Sequence, residues 1–259
     1  MTAVTVEDVG PVRHIVLSRP HKRNAIDEQM IRELQGAFSA AAEDHHVRCV
    51  LVRGEGAMFS SGMDFTVLQR LSEQPQNLRQ LRAGVLSTWN LCEEMPKPTI
   101  AEIHGGCIGG AVELALACDL RVIAQDAVIG LPETRVGLLP DVGGCSRLPS
   151  VIGLGRAKEM VMTGQLLSGQ EAHRIGLVNR VCPPDQLRQT TEQLLNELLA
   201  CAPIAVGLAK RLLDAAAKPA LALTLEQEVS AQQICASSED FAEGAAALSQ
   251  KRTPSFSGR

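Results

Sequence analysis

The chain has 259 residues, 45% of them hydrophobic and 21% charged, with a formal net charge of −4. That length can bury one sizeable core, and no apolar run approaches the roughly 18 residues a membrane helix needs, so a water-soluble protein with no membrane partner is expected. The charge is mildly acidic and no long block of like charges occurs, which argues against nucleic acid as the main partner.

The N-terminus carries early acids, Glu7 and Asp8, and lacks a basic, apolar leader pattern, so the cytoplasm is the expected compartment. Short β-rich runs at 12–17, 49–53, 99–103, 120–124 and 177–181 alternate with helical patterns, an order that yields layered α/β architecture. Between them, 72–78 contains Pro75 and several polar residues and reads as a mobile loop after a short helix. From Pro184 onward the strand signals stop. Segments 185–199, 204–217, 223–236 and 240–249 show apolar spacing near three and four, broken by Pro203 and Pro219. The expected organisation is therefore an α/β core over 1–183 and a helical subdomain over 184–259. The eight cysteines are scattered, with no C-x-x-C and no cysteine–histidine cluster at metal-ligand spacing, so free buried thiols and no metal site are expected.

Two segments carry the chemistry. The apolar run 98–103 leads into His104-Gly105-Gly106-Cys107-Ile108-Gly109-Gly110 and then the apolar helical run 111–118. A strand, a glycine loop and a helix in that order leave backbone N–H groups without intrahelical partners, where the dipole favours negative charge. Glycine also lets another molecule approach that backbone closely. Glu113 falls in the first turn of this helix, where an acid is favoured by the dipole in any case. Glu133 follows the apolar run 120–124, between Pro132 and Thr134, in a segment with no amphipathic period, where it could be an ordinary loop acid. Singly each reads as structural. As a pair, each beside a glycine-rich loop, they read as an acid and a base next to an oxyanion hole, because close carboxyls push their pKa values apart. Ser60 and Ser61 lack a G-x-S-x-G frame, and the glycine loop lacks G-x-G-x-x-G spacing, so neither a serine nucleophile nor a dinucleotide site is read.

The order Arg19-Pro20, Lys22-Arg23-Asn24-Ala25, Phe59-Ser60-Ser61-Gly62-Met63-Asp64, His104 to Glu113, Pro132-Glu133 and Pro140-Asp141-Val142-Gly143-Gly144 resembles the enoyl-CoA hydratase/isomerase (crotonase) family. The likeness extends to the tail, Glu243-Gly244 through Lys251-Arg252. It implies an α/β fold, a crotonase-like spiral of ββα turns, with a C-terminal helical subdomain that mediates homotrimers, often paired into hexamers as dimers of trimers. The implied substrate is an acyl-CoA thioester, coenzyme A being part of the substrate and no separate cofactor being needed. By match to the family motifs, the N–H groups of Met63 and Gly110 form the oxyanion hole, and Glu113 and Glu133 are the hydratase acid–base pair. The implied reaction is syn addition of water to a trans-2-enoyl-CoA, giving a 3-hydroxyacyl-CoA, in fatty acyl-CoA breakdown by β-oxidation.

Asp141 complicates this, because dienoyl-CoA isomerases carry an aspartate at the matching place and use it with the glutamate to move protons. Those isomerases have aspartate where this chain has Glu113. Asp141 also reads as the N-cap of a short helix beginning at Val142, and both readings stay open. A non-catalytic CoA-binding paralogue is a further alternative, against which stands the presence of both glutamates and both loops. For substrate binding, Lys22, Arg23 and Ala25 match the segment along the CoA nucleotide, while Ser61, Asp64 and Phe65 belong to the loop along the pantetheine path. Lys251 matches a lysine that reaches the nucleotide from a neighbouring subunit, although Leu248 stands where hydratases have an aromatic residue. Outside the resemblance, each of these cations reads as a solvated surface charge. The resemblance places the acyl pocket at 66–71 and 81–91, near Trp89; with 2% aromatic residues and no Tyr, an aliphatic chain is favoured.

Overall fold

A computed structural model describes residues 2–259. Strands β1 (Val4–Val9) and β2 (Val12–Leu17) form an antiparallel hairpin with Val4 opposite Leu17. Asp27 caps α1 (Glu28–Glu43) by accepting the Met30 N–H at 2.9 Å, and the helix buries Met30, Leu34, Phe38 and Ala41 along one face. The chain returns through β3 (Cys49–Gly54), parallel to β2. Next come α2 (Phe65–Glu73) and α3 (Leu78–Glu94), joined by a 3-10 turn at Pro75–Asn77 where the sequence suggests a loop.

Two successive strand pairs then repeat one pattern. β4 (Thr99–Ile103) and β5 (Gly106–Ile108) precede α4 (Gly110–Ala117), and β6 (Leu120–Ala124) and β7 (Val128–Gly130) precede a 3-10 turn at Glu133–Val136. The first strand of each pair joins one sheet and the second joins another, so the chain winds from sheet to sheet. After α5 (Gly144–Ile152) and α6 (Leu154–Thr163), β8 (Leu166–Ser168), α7 (Gly169–Arg174) and β9 (Arg180–Cys182) complete the two sheets. The larger has the order β1-β2-β3-β4-β6-β9 and is parallel except at β1–β2; the smaller has the order β5-β7-β8.

The last strand starts three residues later than its apolar run suggests. Leu177 and Val178 are buried in the turn after α7, where Gly176 takes a left-handed φ of 81° and Leu177 N–H bonds to the Ala172 carbonyl. Burial of those two apolar side chains comes from packing under a turn.

The C-terminal helices are α8 (Leu187–Leu199), α9 (Pro203–Ala217), α10 (Leu221–Ala236) and α11 (Glu239–Gln250). α8 packs on β4 and β6, α10 on α3 and α5, and α11 on α2 and the Glu133–Val136 turn. α9 buries Gly207 and leaves Ile204, Leu208, Leu212 and Leu213 exposed. At the centre, α4 is buried at every position and packs against α3 and α5. A helix apolar all round belongs in a core, so its one carboxyl, Glu113, must be held by something other than water. Among the described residues no helix is long and apolar enough to cross a membrane.

Candidate active site

Two loops lie side by side at the N-terminal end of α4. Phe59 N–H bonds to the His104 carbonyl at 2.9 Å, Ser60 N–H to Gly106 at 3.0 Å, and Ile108 N–H to Ser60 at 3.2 Å. On the other flank Ser61 N–H bonds to the Arg23 carbonyl at 3.0 Å and Ile26 N–H to Gly62 at 2.8 Å. A Cβ on Gly62, whose φ is 85°, would fall 2.4 Å from the Ile108 carbonyl oxygen and 3.4 Å from the Gly110 nitrogen, so only glycine allows this approach. Two N–H groups stand apart from the pattern. Those of Met63 and Gly110, one at the loop's end and one opening α4, donate to no acceptor among the described residues.

Three carboxyls gather beside these donors. Glu113, 3% exposed, accepts the Val142 and Gly144 N–H groups, both at 2.9 Å and both on Oε1. Glu133 opens the 3-10 turn after β7, and its Oε2 is enclosed without a hydrogen-bond partner. Gly109, with φ 57°, brings the chain so close that a Cβ there would lie 2.8 Å from Glu133 Oε1. Asp141 Oδ1 accepts from Gln232 Nε2 at 3.3 Å, and its Oδ2 lies 3.5 Å from Arg82 Nε with no hydrogen bond of its own. Asp141 does not cap a helix: α5 starts after Gly143, with no side-chain cap from its own N-terminus. The capping reading of Asp141 fails because the free N–H groups of that turn are taken by Glu113 and Glu228.

Burial drives the titration of all three. It pushes Glu133 up to about 8 and Asp141 to about 7, with Asp141 raising Glu133 further and Arg82 only partly offsetting the effect on Asp141. Glu113 is raised well above the usual carboxyl value by burial first, then by the charges of Glu133 and Asp141. Such a cluster titrates as a unit, and it holds protons into the neutral range.

The cluster faces a cavity. An open pocket of about 420 Å³ is lined by Ser61, Met63, Phe65, Gly110 and Glu133. It shares Met63, Gly110 and Glu133 with an inner chamber of about 70 Å³ that reaches Glu113, Asp141 and Gln232. Val67 and Leu71 of α2 and Leu81 and Val85 of α3 form the chamber's apolar wall. Trp89 lies deeper, fully buried in the core, because one further turn of α3 carries it past the chamber.

The remaining sequence-marked residues sit around this cavity rather than in it. Lys22 and Arg23 are exposed on the turn that abuts Ser61, and Ala25 is buried. Asp64 caps α2 by accepting from Thr66 N–H at 3.0 Å and pairs with Arg19 Nη1 at 3.1 Å, so its carboxyl is committed to the loop's own structure. Lys251 is exposed at the end of α11, whereas its neighbour Arg252, paired with Glu243, lines the open pocket with Gly244, Ala247 and Leu248 of the same chain. Arg82, Glu228 and Gln232 were not marked by the sequence. Their signal was a set of polar residues at core-facing positions: Glu228 and Gln232 fall between and after the buried Leu225 and Val229 at helical spacing.

A fold that winds between two sheets, with backbone donors and buried carboxyls at the start of its central helix, defines the class. Residues 8–259 match the family model described as enoyl-CoA hydratase/isomerase, and the chain belongs to that family. Among its relatives, it is 40% identical to human "Enoyl-CoA hydratase domain-containing protein 2, mitochondrial", over 96% of this chain and 86% of that protein. It is 32% identical to the "Crotonyl-CoA hydratase" of Syntrophomonas wolfei, over 93% of each. Among solved structures, an enoyl-CoA hydratase from Mycobacterium avium superimposes with a TM-score of 0.89 at 28% identity, covering 98% of both chains.

Proposed function

We propose that the protein is an enoyl-CoA hydratase, adding water to a trans-2-enoyl-CoA to give the 3-hydroxyacyl-CoA. The observation that carries this reading is the meeting of Glu113 and Glu133 at one cavity with the unpaired N–H groups of Met63 and Gly110. The thioester oxygen sits between those two donors, which stabilise the negative charge that develops there; one such donor is worth about 10²- to 10³-fold in rate. Water lies between the two carboxyls. Its oxygen bonds to C3 as the ionised carboxyl takes its proton, and the protonated carboxyl delivers a proton to C2. Hydrogen and hydroxyl thus add to one face, and the pair finishes with its single proton exchanged between members. The chamber's small size and its apolar wall of Val67, Leu71, Leu81 and Val85 favour a short aliphatic acyl group.

One observation favours a second reaction. Asp141 lies in the same chamber with an Oδ2 that makes no hydrogen bond and a carboxyl pushed up to about 7 by burial, which suits proton transfer along a dienoyl-CoA between Glu133 and Asp141. A spectrophotometric assay with crotonyl-CoA and, in parallel, a 3,5-dienoyl-CoA separates the two. Fast loss of enoyl absorbance, abolished in Glu113→Gln and Glu133→Gln, supports hydration. Gain of conjugated dienoyl absorbance that disappears in Asp141→Asn overturns it, and silence on both leaves a CoA-binding paralogue. We also propose a homotrimer, alone or paired into a hexamer: α9 stands with Ile204, Leu208, Leu212 and Leu213 exposed beside a groove of about 670 Å³. Light scattering on the purified protein reads that mass directly.

A further inference from the structure

The turn at 142–146 divides its N–H groups between two carboxylates from distant parts of the chain. Glu113, from α4, takes Val142 and Gly144. Glu228, from α10, takes Gly143 N–H at 3.0 Å on Oε2 and Ser146 N–H at 2.7 Å on Oε1, and the Ser146 hydroxyl donates to the same Oε1 at 2.6 Å. Between them Gly143 adopts φ 112°, a conformation that L side chains rarely take. The fit is close, since a Cβ on Gly144 would lie 3.0 Å from Glu113 Oε1.

An ordinary helix start is satisfied by a nearby Ser, Asp or Asn. Here the partner is a buried glutamate 82 or 85 positions away, and burying a carboxyl is costly unless it is well bonded. Glu228 also belongs to the electrostatics of the site. Facing it are Arg82 of α3, with Nη2 at 3.8 Å from Oε2, Asp141 just before the turn, Glu113 of α4 and Cys145 of α5. Arg82 is shared, since its Nε bonds to the Asp141 carbonyl at 2.7 Å and its Nη2 donates to the Leu225 carbonyl.

We propose that Glu228 is a positioning residue: from α10 it clamps the 142–146 turn, and the turn in its place holds the Glu113 carboxyl toward the cavity. The inference rests on Glu113 being one of the acid–base pair. Glu228 does not itself line the cavity; it acts through the backbone of the turn and through Arg82, which does. Its negative charge adds to those that favour the protonated forms of Glu113 and Asp141, with burial the larger cause at both.

The test uses the full chain and three variants, Glu228→Gln, Glu228→Asp and Ser146→Ala. Glu228→Gln removes the charge and one good acceptor, and kcat on crotonyl-CoA should fall about 10²-fold, the loss that a misplacement of about 1 Å can bring, with KM little changed. The acid limb of its pH–kcat profile should move to lower pH, because a like charge near Glu113 is gone. Glu228→Asp should restore the profile but only part of the rate. Ser146→Ala, which keeps the charge, should cost a few-fold in kcat and leave the profile in place. Wild-type rate and profile in Glu228→Gln, or an equal profile shift in Ser146→Ala, would overturn the proposal. Carboxyl ¹³C titration of the Glu113 resonance, assigned through Glu113→Gln, reads the same coupling without turnover. A protein inactive on crotonyl-CoA whose Glu113 titration still falls in Glu228→Gln defeats the hydratase reading and keeps the coupling; an unmoved titration defeats the coupling itself.

Discussion

Glu93, in the last turn of α3, and Glu113, in the first turn of α4, are buried glutamates on helices that pack together, and the protein treats them in opposite ways. Burial pushes Glu93 up, but Arg147 Nη2 at 2.7 Å and the Lys218 ammonium outweigh it and hold its carboxyl below the usual value. Glu113 has no such partner. Burial drives it up, and so does repulsion from the further acids Glu133, Asp141 and Glu228. The same side chain in the same interior is a structural anchor when matched by cations and a proton store when crowded by its own kind. Arg147 joins the two regions, for its Nη1 also bonds to the Val142 carbonyl at 3.0 Å, next to an N–H that holds Glu113. The matched network thus helps to fix the unmatched one.

The sharpest way to break the unmatched side is Glu113→Gln or Glu133→Gln, each expected to lower kcat by about 10²- to 10⁴-fold with the circular dichroism spectrum unchanged, the range typical of general acid–base groups. Breaking the matched side should do the reverse. Glu93→Leu strands Arg147 and Lys218 and should cost about 3–5 kcal/mol of stability in denaturant titration, while the rate per folded molecule changes only a few-fold.

A pH series sharpens the contrast further. Glu133 titrates near 4.5 when unfolded and near 8 when folded, so the folded state binds the extra proton between those values. Its contribution to stability is complete below pH 4.5 and is lost as the pH rises through 8. Thermal midpoints of the wild type should fall across that window relative to Glu133→Gln, and parallel curves would sink the idea. The smallest effect expected is that of Asp141→Asn on hydration, less than about tenfold, since the amide keeps the side chain's shape and removes only one charge from the cluster.

Much of the fold was legible because its strands are bounded runs: 12–17, 49–53, 99–103 and 120–124 coincide with β2, β3, β4 and β6 to within a residue. β5, β7 and β8 escaped because three residues carry no period, and β5 lies inside the glycine segment. β1 escaped because Val6 and Val9 are exposed and its pattern is mixed. At the site, Glu113, Glu133, Met63 and Gly110 were legible because each lies in a local motif of glycines and strand ends. Arg82, Glu228 and Gln232 were not, because what brings them there is the packing of α10 on α3, across 143 residues, and on α5, across 82.

α4 is enclosed along its whole length, yet its first N–H has no acceptor among the described residues. In a deuterium exchange experiment one short helix should therefore show both extremes: the amides of Leu114 to Ala117 among the last to exchange, and that of Gly110 free to exchange without unwinding anything. A thioester oxygen bound there would slow that single amide, making it a built-in reporter of occupancy that needs no turnover to be read.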